Sequence, residues 1–259
     1  MRRVRSVVKR VNVAGWVFVV LVTVLVEAGV RVFDWDHTLS PPSSTLRALV
    51  DELASGALSG ELATTLERFV QGLVVGLVIG VALGVAIGSS RWLRDASSVT
   101  LEFLRPIPAV ALIPLAVLFF GLGVSMYRFV IAYAVVWPIF INTLYGVRGV
   151  DRLLHDVART SGVGRAGRLF RVTLPAALPS IATGIRLGAT VALVLVVTTE
   201  FVQGTDGIGS YMQRQQVAVQ LDELYAAVVL TALLGYLMNV GLRAAEHRFV
   251  FWAGEERFA

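Results

Sequence analysis

The residues that could carry out chemistry are few and scattered along the chain. The 259 residues include three histidines, no cysteine and a single lysine, Lys9. No glycine-rich turn precedes Lys9, although a Walker-type nucleotide site needs both a lysine and such a turn to hold phosphates. Asp34, Asp36 and His37 lie close together, but in a solvated loop such a group is more typical of polar surface than of a metal site. The sequence therefore predicts no catalytic residue, no bound cofactor and no metal, and any ATP would bind to a partner.

Two charged residues interrupt a long apolar stretch, and they are candidates of a different kind. Arg186 and Glu200 are fourteen residues apart, which is roughly 21 Å along a helix. A charge inside a membrane is a candidate functional group, but long side chains near the two ends of a span can also reach the headgroups. Glu200 is therefore a candidate for facing a solute pathway, and both interpretations stay open.

The interval from Asp156 to Pro175 is the only long basic and polar stretch between strongly apolar segments. Before it, Val150, Leu153, Leu154, Val157 and Ala158 recur at the spacing of one helical face, which predicts a short amphipathic helix. Gly162 and Gly164 are expected to end this helix, since glycine readily takes the left-handed conformation that closes one. A second, basic helix is expected from Arg165 to Val172. The pattern is helix, glycine hinge, helix.

This interval resembles the EAA loop of the permease subunits of bacterial ABC importers. That signature places E-A-A three residues before a glycine, and an aliphatic residue and a final Leu-Pro follow at fixed spacing. Asp156-Val157-Ala158, Gly162, Val172 and Leu174-Pro175 match it without a gap, with Asp for Glu and Val for Ala. The resemblance implies a coupling helix that docks on a separate cytoplasmic ATPase. The implied coupling residues are Leu153, Leu154, Asp156, Val157, Ala158, Arg159, Thr160, Ser161, Gly162, Val163, Gly164 and Arg165. The alternative is an ordinary amphipathic loop.

Composition places the chain in a membrane. It is 56% hydrophobic and 16% charged, which is outside the range of soluble domains. A span needs roughly 20 apolar residues, and we expect an all-α bundle of six transmembrane helices forming one domain over residues 1–259. The expected spans are 11–30, 67–88, 104–126, 128–147, 178–202 and 224–243, with the loop at 148–176. The basic amino-terminal segment and the long first apolar run favour a retained anchor over a cleaved signal peptide.

Lysine and arginine set the expected orientation, because positively charged loops stay in the cytoplasm. With six spans and the amino terminus inside, seventeen of these residues fall on the inner side and five on the outer side. Both termini and the EAA-like loop are therefore expected in the cytoplasm, where ATPases are found. The net charge of +5 reflects this topology and does not indicate nucleic-acid binding.

Glycine and proline mark the second and third expected spans. Glycines recur every fourth residue in the second span, which predicts a stripe for close helix packing; they are Gly72, Gly76, Gly80, Gly84 and Gly88. Pro106, Pro108 and Pro114 interrupt the third span, so we expect a kinked helix that is buried in the protein and is a candidate for lining the pathway.

Two further segments narrow the resemblance. Residues 104–123 (LRPIPAVALIPLAVLFFGLG) and 137–147 (WPIFINTLYGV) resemble the nitrate/sulfonate/taurine branch of these permeases, and the likeness extends from about Pro41 to Trp252. The resemblance implies a type I importer in the bacterial inner membrane that carries a small anionic solute, namely a sulfonate-like, taurine-like or nitrate-like compound. Its implied partners are a second permease copy, an ATPase dimer, an external solute-binding protein and membrane lipid. A thiamine precursor or another small solute is the alternative cargo, and a secondary transporter without an ATPase is the alternative class.

Overall fold

The structure is a computed structural model that describes residues 13–35 and 37–249. Lys9 and its basic neighbours, Asp36 and the tail after Phe249 lie outside the described residues. The described chain is helical throughout and contains no strand. Its helices are α1 (Val13–Val32), α2 (Pro42–Ala54), α3 (Ala57–Ser89), α4 (Arg91–Leu104), α5 (Ile113–Phe120), α6 (Val124–Arg148), α7 (Arg152–Thr160), α8 (Arg165–Arg168), α9 (Leu174–Gln203), α10 (Ile208–Val217) and α11 (Leu221–Phe249).

The central helix is α6, which packs against α3 on one side and α9 on the other. Its buried side chains are mostly β-branched or aromatic and form the middle of the main core, together with small residues of α9. Small residues allow the backbones of neighbouring helices to approach closely, which is the usual way that helices associate in a membrane. The core members from α6 are Met126, Tyr127, Val130, Ile131, Val135 and Ile139.

The glycine stripe of α3 lies directly on α6. An added Cβ at Gly72 would approach Ile131 Cβ to 2.5 Å, and one at Gly84 would approach Thr143 Cβ to 2.5 Å. Glycines four residues apart in α3 contact residues four positions apart in α6. These β-branched partners of the stripe are Ile131, Val135, Ile139, Thr143 and Val147. Because both series ascend together, the two helices run parallel. The stripe therefore makes the close helix contact that its spacing predicts.

Helix α9 runs in the opposite direction to α6. Gly146 lies against Ala177, whereas Gly188 lies against Val135, so α9 is antiparallel to α6. We call the end of the bundle that carries α7 the loop end, and the other end the opposite end. Helices α3 and α6 run towards the loop end, and α9 runs away from it.

The third expected span is not one kinked helix. A turn at Pro106 and Pro108 and a short 3₁₀ segment, Ala109–Leu112, separate α4 from α5, and the two arms meet at 82°. Proline removes a backbone donor and pushes the residue before it out of the helical region, so two prolines two residues apart end a helix. Since α3 ends at the loop end and the parallel helix α6 begins at the opposite end, the chain between them must cross the bundle. The pair is therefore a broken span.

Six spans are expected, and the described residues contain four helices that are long and apolar enough to cross a membrane, or five if the bent pair counts as one. These four are Ala57–Ser89, Val124–Arg148, Arg165–Gln203 and Leu221–Glu246. The first expected span corresponds to α1, a 20-residue helix that is outside that count. Its exposed side chains from Val17 to Val26 are apolar except Thr23, whose hydroxyl donates to the Val19 carbonyl.

Candidate functional site

The amphipathic helix expected before the glycine hinge is α7, and its two ends explain its length. Asp151 caps the beginning, where its carboxylate accepts a hydrogen bond from the Leu153 N–H at 2.9 Å. At the end, Gly162 has φ +77° and its N–H donates to the Arg159 carbonyl, while the Val163 N–H donates to the Ala158 carbonyl. This pair of bonds is a Schellman motif, in which glycine takes the left-handed position. Gly162 therefore fixes the direction in which the chain leaves α7.

One face of α7 is apolar and has no cover within the chain. Leu153 is 65% exposed, Leu154 48% and Val157 55%, whereas Ala158 is buried. Asp156 and Arg159 are exposed beside them. Three large apolar side chains on a nine-residue helix are more than isolated surface residues, and such a patch rimmed by charges is typical of a protein–protein contact. The structure thus brings together the side chains that the sequence assigned to the coupling helix.

The rest of the loop connects α7 to α9 without a break. Gly164 has an extended backbone (φ −64°, ψ 169°) and is the residue before α8. Helix α8 continues through a single π-helical turn, Leu169–Thr173, into α9. Thr160 donates its hydroxyl to the carbonyls of Asp156 and Val157. Ser161 and Arg165 are exposed, and Val163 is half-buried. A displacement of α7 therefore has a short covalent route to a transmembrane helix.

Glu200 is enclosed at the opposite end of the bundle. Its side chain is completely buried and accepts hydrogen bonds from Thr65 Oγ1 (2.8 Å), Arg68 Nη1 (3.1 Å) and the Gly209 N–H (3.2 Å). Arg68 also donates to the carbonyl and carboxylate of Asp206, and its guanidinium lies 4.0 Å from the centre of the Tyr127 ring. The carboxylate is thus neutralised and fully bonded inside the protein. It does not face an open cavity in this structure.

The same cluster caps α10. The N–H groups of Gly207, Ile208 and Gly209 donate respectively to the carboxylate of Glu61, to Thr65 Oγ1 and to the Glu200 carboxylate. The first N–H groups of a helix have no partner within the helix, so three acceptors from α3 and α9 satisfy them together. A Cβ at Gly207 would lie 2.2 Å from the Glu200 carboxylate. Gly207 and Gly209 are therefore required by the close approach of α10 to α9.

Arg186 forms an ion pair within the protein. It does not extend alone towards the membrane headgroups, which was one of the two interpretations of its position. Its Nη1 lies 3.3 Å from the Glu246 carboxylate of α11, which is itself buried. The pair ties the loop ends of α9 and α11 together. A sequence pattern could not identify this partner, because the two residues are sixty positions apart.

The three candidate prolines do not line the cavity between α3, α4, α5 and α6. Pro106, Pro108 and Pro114 are exposed, and none of them lines the cavity of about 550 Å³ between α3, α4, α5 and α6. Its walls are apolar and aromatic, with Arg128 and Ser125 as polar members. The lining residues are Val75, Ile79, Leu83, Leu101, Leu104, Phe120, Ser125, Arg128, Phe129, Ala132, Tyr133, Val136, Trp137 and Phe140.

A second cavity of about 200 Å³ continues towards the loop end. It shares Leu101, Trp137 and Phe140 with the first, so the two adjoin. Its other lining residues, more polar than those of the first, are Ile87, Arg94, Ser98, Glu102, Arg105, Ile141, Leu144 and Tyr145. In the sequence, Arg94, Arg105 and Arg128 contribute only to the count of positive charges on the two sides of the membrane, and no binding role was expected for them. The spacing of Phe129, Tyr133, Trp137 and Phe140 marks one aromatic face of α6, but it does not show which helices lie opposite that face.

The opposite end also carries α2, which packs against α3 and α11. Helix α2 begins without a side-chain cap of its own; instead the Glu27 carboxylate of α1 accepts a hydrogen bond from the Ser43 N–H at 3.0 Å. The acceptor at the start of α2 therefore comes from another helix. Asp51 is exposed and Glu52 half-buried. Burial and the nearby Glu52 carboxylate raise the pKa of Tyr211 above its ordinary value.

Several known proteins are similar to this chain. It is 34% identical over 163 residues to SsuC of Escherichia coli (strain K12), which is named for aliphatic sulfonate transport; the match covers 63% of this chain and 62% of SsuC. The taurine transport system permease protein TauC of the same strain is 34% identical over 60% of this chain and 56% of its own length. The riboflavin transport system permease protein RibX of Chloroflexus aurantiacus is 33% identical over 62% of this chain and 60% of its own length. The chain thus matches about three fifths of each relative.

Solved structures agree on the fold. The inward-facing MetNI methionine ABC transporter aligns with a TM-score of 0.64 and 18% identity, over 71% of this chain and 92% of its own. Residues 76–250, which include α6, the EAA-like loop, α9 and α11, match the family described as "Binding-protein-dependent transport system inner membrane component". That match covers well over half of the sequence. The chain belongs to this family of binding-protein-dependent inner membrane transport components.

Proposed function

We propose that this chain is the membrane-spanning subunit of an ATP-driven importer for a small organic anion, and that energy enters through the loop at 148–176. The observation that carries the proposal is the uncovered apolar face of α7, formed by Leu153, Leu154 and Val157. This face is presented at the loop end of a bundle with the fold of an importer permease. A groove on a cytoplasmic ATPase would bury it.

The coupling mechanism follows from the path of the chain. ATP-driven closure of two ATPase subunits would move the α7 helices of two permease copies, and the Schellman turn at Gly162 would pass that movement to α8 and α9. Helix α9 then runs from Leu174 to Glu200, roughly 39 Å at the helical rise per residue. A movement of this helix can change which end of the pathway is open, and ATP would supply the difference in binding between the two states.

The partners and the orientation belong to the same proposal. The chain is a permease subunit and has no Walker-type lysine of its own, so ATP hydrolysis is assigned to a separate ATPase dimer. A second permease copy would complete the pathway, and an external solute-binding protein would deliver the solute to the opposite end. The arginine distribution supports an inner-membrane protein with the loop end and both termini in the cytoplasm.

The solute is proposed as a sulfonate-like or taurine-like compound. Similarity to SsuC and TauC supports this class. Similarity to RibX, named for riboflavin transport, keeps other small solutes, including a thiamine precursor, as the alternative. Both alternatives require the same coupling loop, so the loop can be tested without knowledge of the solute.

The test is ATPase retention by the purified permease. Val157→Asp places a charge in the apolar face of α7 and is expected to release the ATPase, because an unpaired charge would be buried in the contact. Val217→Asp, at an exposed apolar site at the opposite end (75% exposed, against 55% for Val157), is the control and should retain it. Mass measurement of the solubilised complex gives the stoichiometry, expected to be two permeases and two ATPase subunits. A transport-competent complex without an ATPase would contradict the proposal.

A further inference from the structure

We propose that the groove between α4 and α6 is the solute route, and that Arg128 binds the anionic headgroup of an amphiphilic organic anion at its outer mouth. The inference rests on the proposed function, because it takes the opposite end as the outer side. It replaces Glu200 and the three prolines as the residues that the solute meets.

The two cavities adjoin each other along α6. The larger cavity begins at Ser125 and Arg128, close to the start of α6, and the smaller one reaches Tyr145, close to its end. Twenty residues of helix separate Ser125 from Tyr145, roughly 30 Å. That distance matches the hydrocarbon core of a membrane. Two other cavities, one beside α1 and one between α9 and α11, are shorter and do not follow α6.

The charges along this path are arranged for an anion. Among the residues that line the larger cavity, Arg128 is the one charged side chain, and its recorded partner is the neutral Gln71 Oε1 at 2.9 Å. The arginines that form ion pairs within the described chain are Arg31, Arg68, Arg186 and Arg214. Arg128 therefore keeps hydrogen-bond donors and a full positive charge for a ligand, and a guanidinium can bind a sulfonate or carboxylate through two parallel bonds.

Further arginines follow at deeper levels. Arg94 and Arg105 line the smaller cavity, with Glu102 as its one acidic member. Arg105 lies part-way along the length of the bundle, where its side chain is exposed, because the carbonyl of the preceding Leu104 accepts a hydrogen bond from the Tyr133 hydroxyl at 2.6 Å. Tyr133 is nine residues into α6, or roughly 14 Å from its start. An anion leaving Arg128 thus meets a second positive charge before it reaches the loop end.

The walls between these charges select the rest of the solute. Phe129, Tyr133, Trp137 and Phe140 lie along one side of α6, and aliphatic side chains of α3 face them. An alkyl chain gains free energy from such walls, whereas a fully hydrated inorganic anion such as nitrate gains little and must lose water. The groove therefore favours an organic anion with one charged head and an apolar body. A cationic or strongly polar solute fits it poorly.

Binding can be measured without knowledge of the natural cargo, because Trp137 lies within the groove. The permease–ATPase complex is placed in nanodiscs of phosphatidylcholine and titrated with 2-bromoethanesulfonate, whose bromine quenches indole fluorescence. The neutral analogue 2-bromoethanol is the ligand control. The contribution of Trp137 is the difference between the wild type and Trp137→Phe. We expect saturable quenching of Trp137 by the sulfonate and only weak, linear quenching by the alcohol.

Variants at the outer mouth then test the role of Arg128. Arg128→Gln should raise the dissociation constant on the order of ten- to a hundredfold, the range expected for loss of hydrogen bonds to a charged group. Arg128→Lys keeps the charge without the two-pronged geometry and should lose less. Arg47→Gln removes another exposed arginine of the same end, outside both cavities, and should change nothing.

Three results would overturn the inference. The first is equal affinity in the wild type and Arg128→Gln, or an equal loss in Arg47→Gln. The second is Trp137 quenching by brominated phospholipid chains that the sulfonate does not displace, which would make the groove a lipid site. The third is a combination of two observations: no probe quenches Trp137, and Phe129→Cys forms a disulfide between two copies of the chain. That result would make the groove a contact between permease copies. ATPase retention in the same samples reports separately on the proposed function, since its loss from the wild type would contradict that function and leave the quenching result standing.

Discussion

The glycine stripe of α3 can be tested by adding a single methyl group. In Gly84→Ala, the new Cβ would lie 2.5 Å from Thr143 Cβ, 2.7 Å from Thr143 Cγ2 and 3.0 Å from the Phe140 carbonyl oxygen. Carbon atoms pack comfortably at about 3.5–4.0 Å, so the shortfall is about 1 Å. Thr143 Cβ is attached to the backbone and cannot rotate away. The only relief is separation of α3 from α6.

The size of the effect follows from that separation. A gap of about 0.5–1 Å removes a quarter to a half of the attraction between neighbouring atoms, and overpacking of a well-packed contact costs about 1–3 kcal/mol. Gly88→Ala should cost less, because its Cβ would meet Val147 at 3.0 Å and the nearest backbone oxygen at 3.5 Å. Gly60→Ala provides the matched control in the same helix, since nothing lies within 4 Å of its Cβ. There alanine should stabilise the helix by up to about 1 kcal/mol.

The assay is thermal unfolding of the detergent-purified chain, followed by tryptophan fluorescence. The expected order of unfolding temperature is Gly84→Ala lowest, then Gly88→Ala, then the wild type, with Gly60→Ala equal to the wild type or above it. If Gly84→Ala and Gly60→Ala shift the transition equally, close packing of α3 on α6 is not what the stripe provides. A lower unfolding temperature for Gly88→Ala than for Gly84→Ala would likewise contradict the contact distances at these two glycines.

Three further predictions concern the two ends of the bundle. The Gly162→Val variant should insert normally but retain less ATPase in a pull-down, because a β-branched residue is strained at φ +77°. The Gly164→Ala variant should retain the ATPase, because alanine readily adopts φ −64°. Arg68→Ala should lower the free energy of unfolding by about 3–5 kcal/mol in denaturant titration, because it leaves a buried carboxylate unpaired. Reversal of charge at Asp51 or Glu52 should weaken stimulation of ATP hydrolysis by the binding protein more than it weakens ATPase retention; unchanged stimulation would place the docking surface elsewhere.

The sequence predicted best those features that depend on local spacing. The amphipathic helix before Gly162, its closure by that glycine and the stripe on α3 all follow from periods of three to four residues. The break between α4 and α5 is also local, since it follows from Pro106 and Pro108, but a hydropathy profile averages over it. The interval 104–126 therefore read as one kinked span.

Contacts between distant segments could not be predicted in this way. Glu200 is a charge in an apolar stretch, and nothing near it in sequence shows that Arg68, 132 positions earlier, neutralises it. The same is true of Arg186 with Glu246. Hydropathy shows that a charge is present in a span, whereas burial and pairing depend on which helices pack together. The groove at Arg128 was missed for the same reason, because its walls come from four helices.

These long-range contacts also determine how α9 can transmit force. Its end at Glu200 is held in place, since the Glu200 carboxylate and main-chain carbonyl accept hydrogen bonds from Thr65 and Arg68 of α3 and from Gly209 and Ser210 of α10. Its loop end follows the π-helical turn at Leu169–Thr173, which is the one irregular turn between α8 and α9 in the described chain. Within this path, a displacement of α7 must either deform that turn or tilt the whole of α9 about its end at Glu200. A rigid tilt changes the spacing most at the loop end, beside the smaller cavity and its arginines, and least at Arg128. In the proposed importer, the mouth of the groove at Arg128 should therefore depend more on the second permease copy and the binding protein than on α9 of the same chain.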